Sequence, residues 1–167
     1  LFTCLAAVFL SGSLFAQAKS LTIGSAAGNT PQAIPITLST DEPVEGFTVG
    51  VQTDPALLTI TDLSCTLNDA EYVMPEVNNG WATLGVVLDV EADFDGQTVP
   101  AGDTVVASLQ VTPVALACGE QETAAIELVD GLNAPPLNNT VVVNGGESIT
   151  QAEGLVLNNG QFEIEGA

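Results

Sequence analysis

From residue 19 onward, apolar and polar positions alternate with a period of two over short runs. At 44–53, Phe47, Val49 and Val51 share one side, and Thr48, Gly50 and Gln52 share the other. That is the pattern of a strand with one face on a core. Residues 32–39 place Ile34, Ile36 and Leu38 together, and 103–112 place Val105, Ala107, Leu109 and Val111 together. Further strands are predicted at 20–24, from Leu57 through Ile60, and at 80–90, 123–129, 140–143, 154–157 and 161–165. Asp54-Pro55 and Asn78-Asn79-Gly80 punctuate them, and Asn158-Asn159-Gly160 predicts a tight hairpin into the last strand. Residues 114–118 read equally as one helical turn or as a strand end. No segment has the apolar repeat of an amphipathic helix. About nine short strands with turns every 8 to 12 residues predict an all-β, antiparallel, two-sheet sandwich of jelly-roll type.

The first 18 residues follow a different rule. Residues 1–16 form an apolar run, and Ala16-Gln17-Ala18 supplies a small-x-small cleavage pattern before Lys19. This predicts a truncated signal peptide over 1–18 and one exported domain over 19–167. No later apolar stretch is long enough to span a membrane as a helix. Cys65 and Cys118 remain after the leader, and an even number in an exported chain predicts one disulfide. It would close a loop of about 50 residues, worth on the order of 4 kcal/mol in the chain-entropy model.

Charge narrows the function. The chain has 21 acidic residues, a single Lys, no Arg and no His, for a net charge of −20. Such a surface repels nucleic-acid phosphate and anionic lipid. It suits cations, neutral glycans or proteins with a basic face. Catalysis is poorly provided for, because the Ser and Thr hydroxyls have no His or free Lys to activate them. Asp89, Glu91, Asp93 and Asp95 recur at every second position and run into Gly96, so an extended backbone sets four carboxylates on one side. Hard cations need six to eight oxygens, which makes this segment the candidate calcium site, the alternative being a solvated acidic strand end and loop. The spacing and closing Glu of an EF-hand are absent. Trp81 and Tyr72 are the only Trp and Tyr. Trp81 reads as core or sheet-edge packing, and Phe47, Phe94 and Phe162 as core.

Several ordered segments carry a resemblance. Ala27-Gly28-Asn29-Thr30 leads into Ile34-Pro35-Ile36-Thr37-Leu38. Phe47 to Gln52 is followed by Asp54-Pro55-Ala56-Leu57-Leu58. Asp95-Gly96-Gln97-Thr98-Val99-Pro100 precedes Ala101-Gly102-Asp103-Thr104, and Gly160-Gln161-Phe162-Glu163-Ile164 closes the chain. This order resembles cohesin domains of secreted bacterial proteins over most of residues 20–165. The resemblance implies a nine-stranded sandwich shared with some carbohydrate-binding modules. It also implies a non-catalytic scaffolding role outside the cell or on its surface, with a dockerin-like or other surface protein as partner. Cohesins bind dockerins on one sheet face through mixed polar and apolar contacts. Two alternatives are a glycan-binding module, marked by an exposed aromatic pair on one face, and a structural spacer in a larger exported protein.

Overall fold

The computed structural model describes residues 18–90, 96–143 and 145–167. Thirteen strands are found among them: β1 (Ser20–Ile23), β2 (Ala26–Gly28), β3 (Gln32–Thr40), β4 (Val44–Thr53), β5 (Leu58–Cys65), β6 (Tyr72–Asn78), β7 (Trp81–Val87), β8 (Gly102–Pro113), β9 (Gln121–Leu128), β10 (Thr140–Val143), β11 (Glu147–Ile149), β12 (Val156–Asn158) and β13 (Gly160–Glu165). A single turn of 3-10 helix, Gln151–Glu153, is capped by Thr150 and Glu153 in a reciprocal box. One sheet runs β12-β1-β3-β8-β5. The other is built around β4, which pairs with β7 along one edge. Its other edge is shared, with β10 on Thr48 to Val44 and β9 on Val51 to Thr53. β6 lies outside β7.

The alternation in the sequence becomes the core. Ile34, Ile36, Leu38, Phe47, Val49 and Val51 are buried between the sheets with Phe162 and Ile164. Each such side chain stabilises the fold by about 1.5–3 kcal/mol. One predicted face is corrected. Ile36 pairs with Ala107 and Thr37 with Val105, so Val106 is an extra residue on β8. This bulge reverses the pleat. Ala107, Leu109 and Val111 point inward as expected, but Val106 is buried in place of Val105.

The sandwich is closed by its ends. β1 pairs in parallel with β12, and β2 in parallel with β13. The first and last strands therefore cross from one sheet to the other side by side, and the sheets are mixed where antiparallel ones were expected. Asn158-Asn159-Gly160 is this crossing and not a hairpin, since β12 and β13 lie in different sheets. Gly160 is required there, because a Cβ would collide with the Gly24 carbonyl. The Asn159 side chain accepts the Leu128 N–H at 2.9 Å.

The expected disulfide is not formed: Cys65 and Cys118 are free thiols. Topology is the reason. Cys65 pairs with Ala107, at the opposite end of β5 from the Leu58–Pro113 pair. Cys118 follows Pro113, where Val114 N–H donates to Leu57 O at 2.9 Å. Leu58 to Cys65 spans roughly 23 Å of strand, whereas a disulfide needs Cα atoms within about 7 Å. The expected leader, residues 1–18, lies outside those described apart from Ala18. Phe94 lies outside them too.

Candidate functional site

The outward side chains of β6, β7, β4 and β10 form two rows across the second sheet. The first is Tyr72, Val87, Gly46 and Val142, continued by Ser148 on β11. The second is Met74, Gly85, Thr48 and Thr140. Both rows dip in the middle, because Gly46 and Gly85 contribute no side chain there. The result is a concavity of about 830 Å³. Its long walls are β6 and β10, about three strand spacings or ~14 Å apart. Gln97 and Thr98 close one end, and Leu137 and Asn138 the other. Tyr72 and Met74 stand 49% and 52% exposed on the wall, with Tyr72 Oη donating to Met74 Sδ at 3.5 Å.

The segment from Val129 to Asn139 makes the upper boundary. Leu132 and Leu137 bridge to fold it into a flap. Buried Asn139 ties it down: Gly50 N–H donates to its Oδ1 at 2.9 Å, and its Nδ2 donates to Asp130 Oδ1 at 2.9 Å. Asn139 thus fills the gap on β4 between its β10 and β9 partners. Gly50 lets the flap approach, since a Cβ would lie 2.6 Å from Val129 O. Asn133 reaches over Thr83 to donate to Glu76 on β6 at 2.5 Å. Half of the sheet face is therefore covered and half is open.

Carboxylates surround the open half. Glu45 accepts the Gly145 and Gly146 N–H groups at 3.0 and 3.1 Å, fixing the turn between β10 and β11. Glu71 accepts the Val90 N–H at 2.6 Å. The one Lys is not among them. Lys19 lies 3.0 Å from Asp41 and 2.7 Å from Glu42, at the turn from β3 to β4. The hydrogen bond to Glu42 raises its pKa, opposed by desolvation and aided by Asp41. The Lys19 hydrogen bond lowers that of Asp41.

Of the predicted cation ligands, Asp89 lies within the described residues; Glu91, Asp93 and Asp95 lie outside them. Asp89 Oδ2 accepts the Gly96 N–H at 2.8 Å, while its Oδ1 is buried without a hydrogen-bond partner. No group of three or more potential metal ligands occurs among the described residues. Trp81 is half-buried on the outer face, opposite Gln52. It is six residues along β7 from the Val87 that pairs with Tyr72, so the two rings are roughly 20 Å apart.

Sequence reasoning missed β6 and with it the wall of this site. Two signals were present: the β-forming run Tyr72-Val73-Met74, and the Asn79-Gly80 turn that joins β6 to β7. Pro75 obscured them, although an edge strand is where Pro is tolerated.

No family model matches the chain, and no curated protein matches it. Solved structures do. The third cohesin of ScaC from Acetivibrio cellulolyticus, solved in complex with a ScaB dockerin, is 18% identical, covers 88% of this chain and 99% of its own, and has a TM-score of 0.67. The OlpC cohesin of Clostridium thermocellum, also in a type I cohesin–dockerin complex, is 11% identical over 93% of this chain and 99% of its own, at a TM-score of 0.68. A non-cellulosomal cohesin from the archaeon Archaeoglobus fulgidus is 13% identical over 89% of this chain and 91% of its own, at 0.62. The chain has the cohesin fold, as its sequence resemblance implied.

Proposed function

We propose that this protein is a non-catalytic interaction module of cohesin type, acting outside the cell or on its surface, and that it docks a dockerin-like protein on the open half of the β6-β7-β4-β10 face. The observation that carries the reading is the concavity itself. It is apolar-floored, rests on paired strands, and sits in a fold whose solved examples include complexes with dockerins. The residue chemistry agrees. There is no His or Arg, and the single Lys is engaged with Asp41 and Glu42, so neither a His nor a free Lys is present to activate a hydroxyl. The test is capture from the source secretome on immobilised residues 19–167. Recovery of a partner carrying a dockerin-like module supports the reading, and its absence counts against it. A glycan reading gains nothing from two rings at opposite ends of the face.

Calcium binding by Asp89, Glu91, Asp93 and Asp95 is a separate proposal, supported by the buried, unpartnered Oδ1 of Asp89. A melting temperature that is the same with calcium and with chelator removes it.

A further inference from the structure

A sandwich must manage the strands at the edges of its sheets, because their outer N–H and C=O groups are a template for pairing with another chain. Among the described residues the edge strands are β2, β5, β6, β11 and β12. Most are blunted. β2, β11 and β12 are three residues each. The Ala27 carbonyl on β2 already accepts Gln32 Nε2 at 2.6 Å. β5 is broken by a bulge between Ile60 and Asp62. β6 is the exception. It runs for seven residues, pairs with β7 alone and is exposed throughout. Both of its faces carry exposed apolar side chains, Val73 and Val77 on one and Tyr72 and Met74 on the other.

The direction of its backbone groups follows from β7. Leu88 N–H donates to Glu45 O at 3.0 Å, and Thr53 N–H donates to Gly80 O at 2.8 Å. Even-numbered residues of this stretch therefore turn their backbone toward β4. Alternation turns Trp81, Thr83, Gly85 and Val87 toward β6, opposite Asn78, Glu76, Met74 and Tyr72. The backbone groups of Val73, Pro75 and Val77 then face away from the sheet. Among the described residues no backbone hydrogen bond from another element reaches them. Pro75, which has no N–H, sits at the middle of this free edge.

The strand that fits such an edge is a second copy of itself. Antiparallel self-pairing centred on Pro75 sets Val73 opposite the Val77 of the copy, and Val77 opposite its Val73, each pair exchanging both N–H···O bonds. Met74 then faces the Glu76 of the copy, so no carboxylates are opposed. A register centred on Glu76 instead opposes like charges and is disfavoured. The self-complementary register has its defect on the axis. There each Pro75 ring occupies the place where the opposite Pro75 carbonyl needs a donor. We infer that Pro75 is a built-in block against edge-to-edge association of this chain with itself, and that β6 is a latent homodimer interface kept unpaired by that one missing N–H. This does not depend on the docking reading above.

Charge is the competing cause, since each copy carries −20. Salt separates the two, because at ~1 M the Debye length is only about 3 Å. Pro75→Val supplies the missing N–H with a β-forming side chain and removes no hydrogen bond within the chain. Light scattering on a sizing column reads the mass. Wild type is expected to stay monomeric at low salt and at ~1 M salt. Pro75→Val is expected to double in mass in the high-salt buffer with its melting temperature kept, and to hold less dimer at low salt. Exchanging the two residues, Pro75→Val with Val73→Pro, keeps the composition and moves the missing N–H along the same edge; this protein is expected to be monomeric. Amide exchange at Val73 and Val77 is expected to be fast in wild type. At Val77 it should slow with concentration in Pro75→Val only. Wild type that dimerises at high salt would show that charge is the block. A folded, monomeric Pro75→Val, or a dimer of the exchanged variant, would overturn the inference. So would slow exchange at Val73 and Val77 in monomeric wild type, which would mean the edge is already covered.

Discussion

Asn139→Ala tests how the flap is held. In the wild type, the Asn139 side chain is fully buried and accepts the Gly50 N–H in the gap between the β10 and β9 pairings on β4. Alanine leaves that N–H buried with no acceptor, at a cost of about 1–3 kcal/mol. It also removes the amide donor to Asp130 Oδ1, although Asn139 N–H still donates there at 2.8 Å. Asp130 is exposed and water replaces the lost donor, so this adds at most about 1 kcal/mol. The sum is about 1–4 kcal/mol. For a domain of this size that lowers the melting temperature by roughly 2–15 °C. Urea unfolding followed by circular dichroism measures it, with Asn138→Ala as control. Asn138 is exposed and its Oδ1 accepts the Gly131 N–H at 3.0 Å, so its loss should cost under about 1 kcal/mol. Equal, small losses for both variants would refute the reasoning, because Gly50 N–H would then have another partner.

Three further outcomes follow from the packing. Cys65 and Cys118 should both react with a thiol reagent, the exposed Cys118 faster, and a reductant should leave the melting temperature unchanged; a mass about 2 Da low on the folded domain would contradict this. Gly160→Ala should destabilise the fold by more than the ~1 kcal/mol typical of a point substitution, because its Cβ meets the Gly24 carbonyl where the terminal strands cross; calorimetry reads it. The lowered Asp41 pKa means its contribution is present above the ordinary aspartate range and lost as pH falls through the depressed value. The raised Lys19 pKa means its contribution is present below the ordinary lysine range and lost as pH rises through the elevated value. The melting-temperature gap between wild type and Asp41→Asn should therefore be fullest between about pH 5 and 9 and close on both sides; a gap that does not vary with pH would rule this out.

Strands with one buried face were legible because burial is written in alternate residues. β4 matches its predicted bounds at both ends, and β3 and β8 match to within one residue. What escaped was whatever depends on partners distant in sequence. The bulge at Val106 is a property of the β3–β8 pair and leaves no mark on β8 alone. The crossing at Asn159 uses the same residues as a hairpin turn, and only the parallel pairing with β1 and β2 distinguishes the two. β6 is exposed along its whole length, so it carries no alternation to read. The cysteine pairing failed because parity in an exported chain says nothing about which end of a strand each thiol occupies. Asn139, in Asn138-Asn139-Thr140, has the composition of a surface turn, yet β4 draws its amide into the interior.

The three outward glycines of β4 and β7 allow a last discrimination. A glycine inside a strand costs about 0.5–1 kcal/mol against alanine unless its missing side chain makes room for something. Gly50 makes room for the flap and Gly46 for the Val86 carbonyl. Alanine at either position sets a Cβ under 3 Å from backbone and should destabilise the fold. Gly85 makes room only for the concavity. If folding alone had placed it there, alanine should be as harmful as at its neighbours. If packing does not require it, Gly85→Ala should raise stability by about 0.5–1 kcal/mol. Calorimetry decides it, and a Gly85→Ala protein less stable than wild type would show that the space over Gly85 is a requirement of the fold.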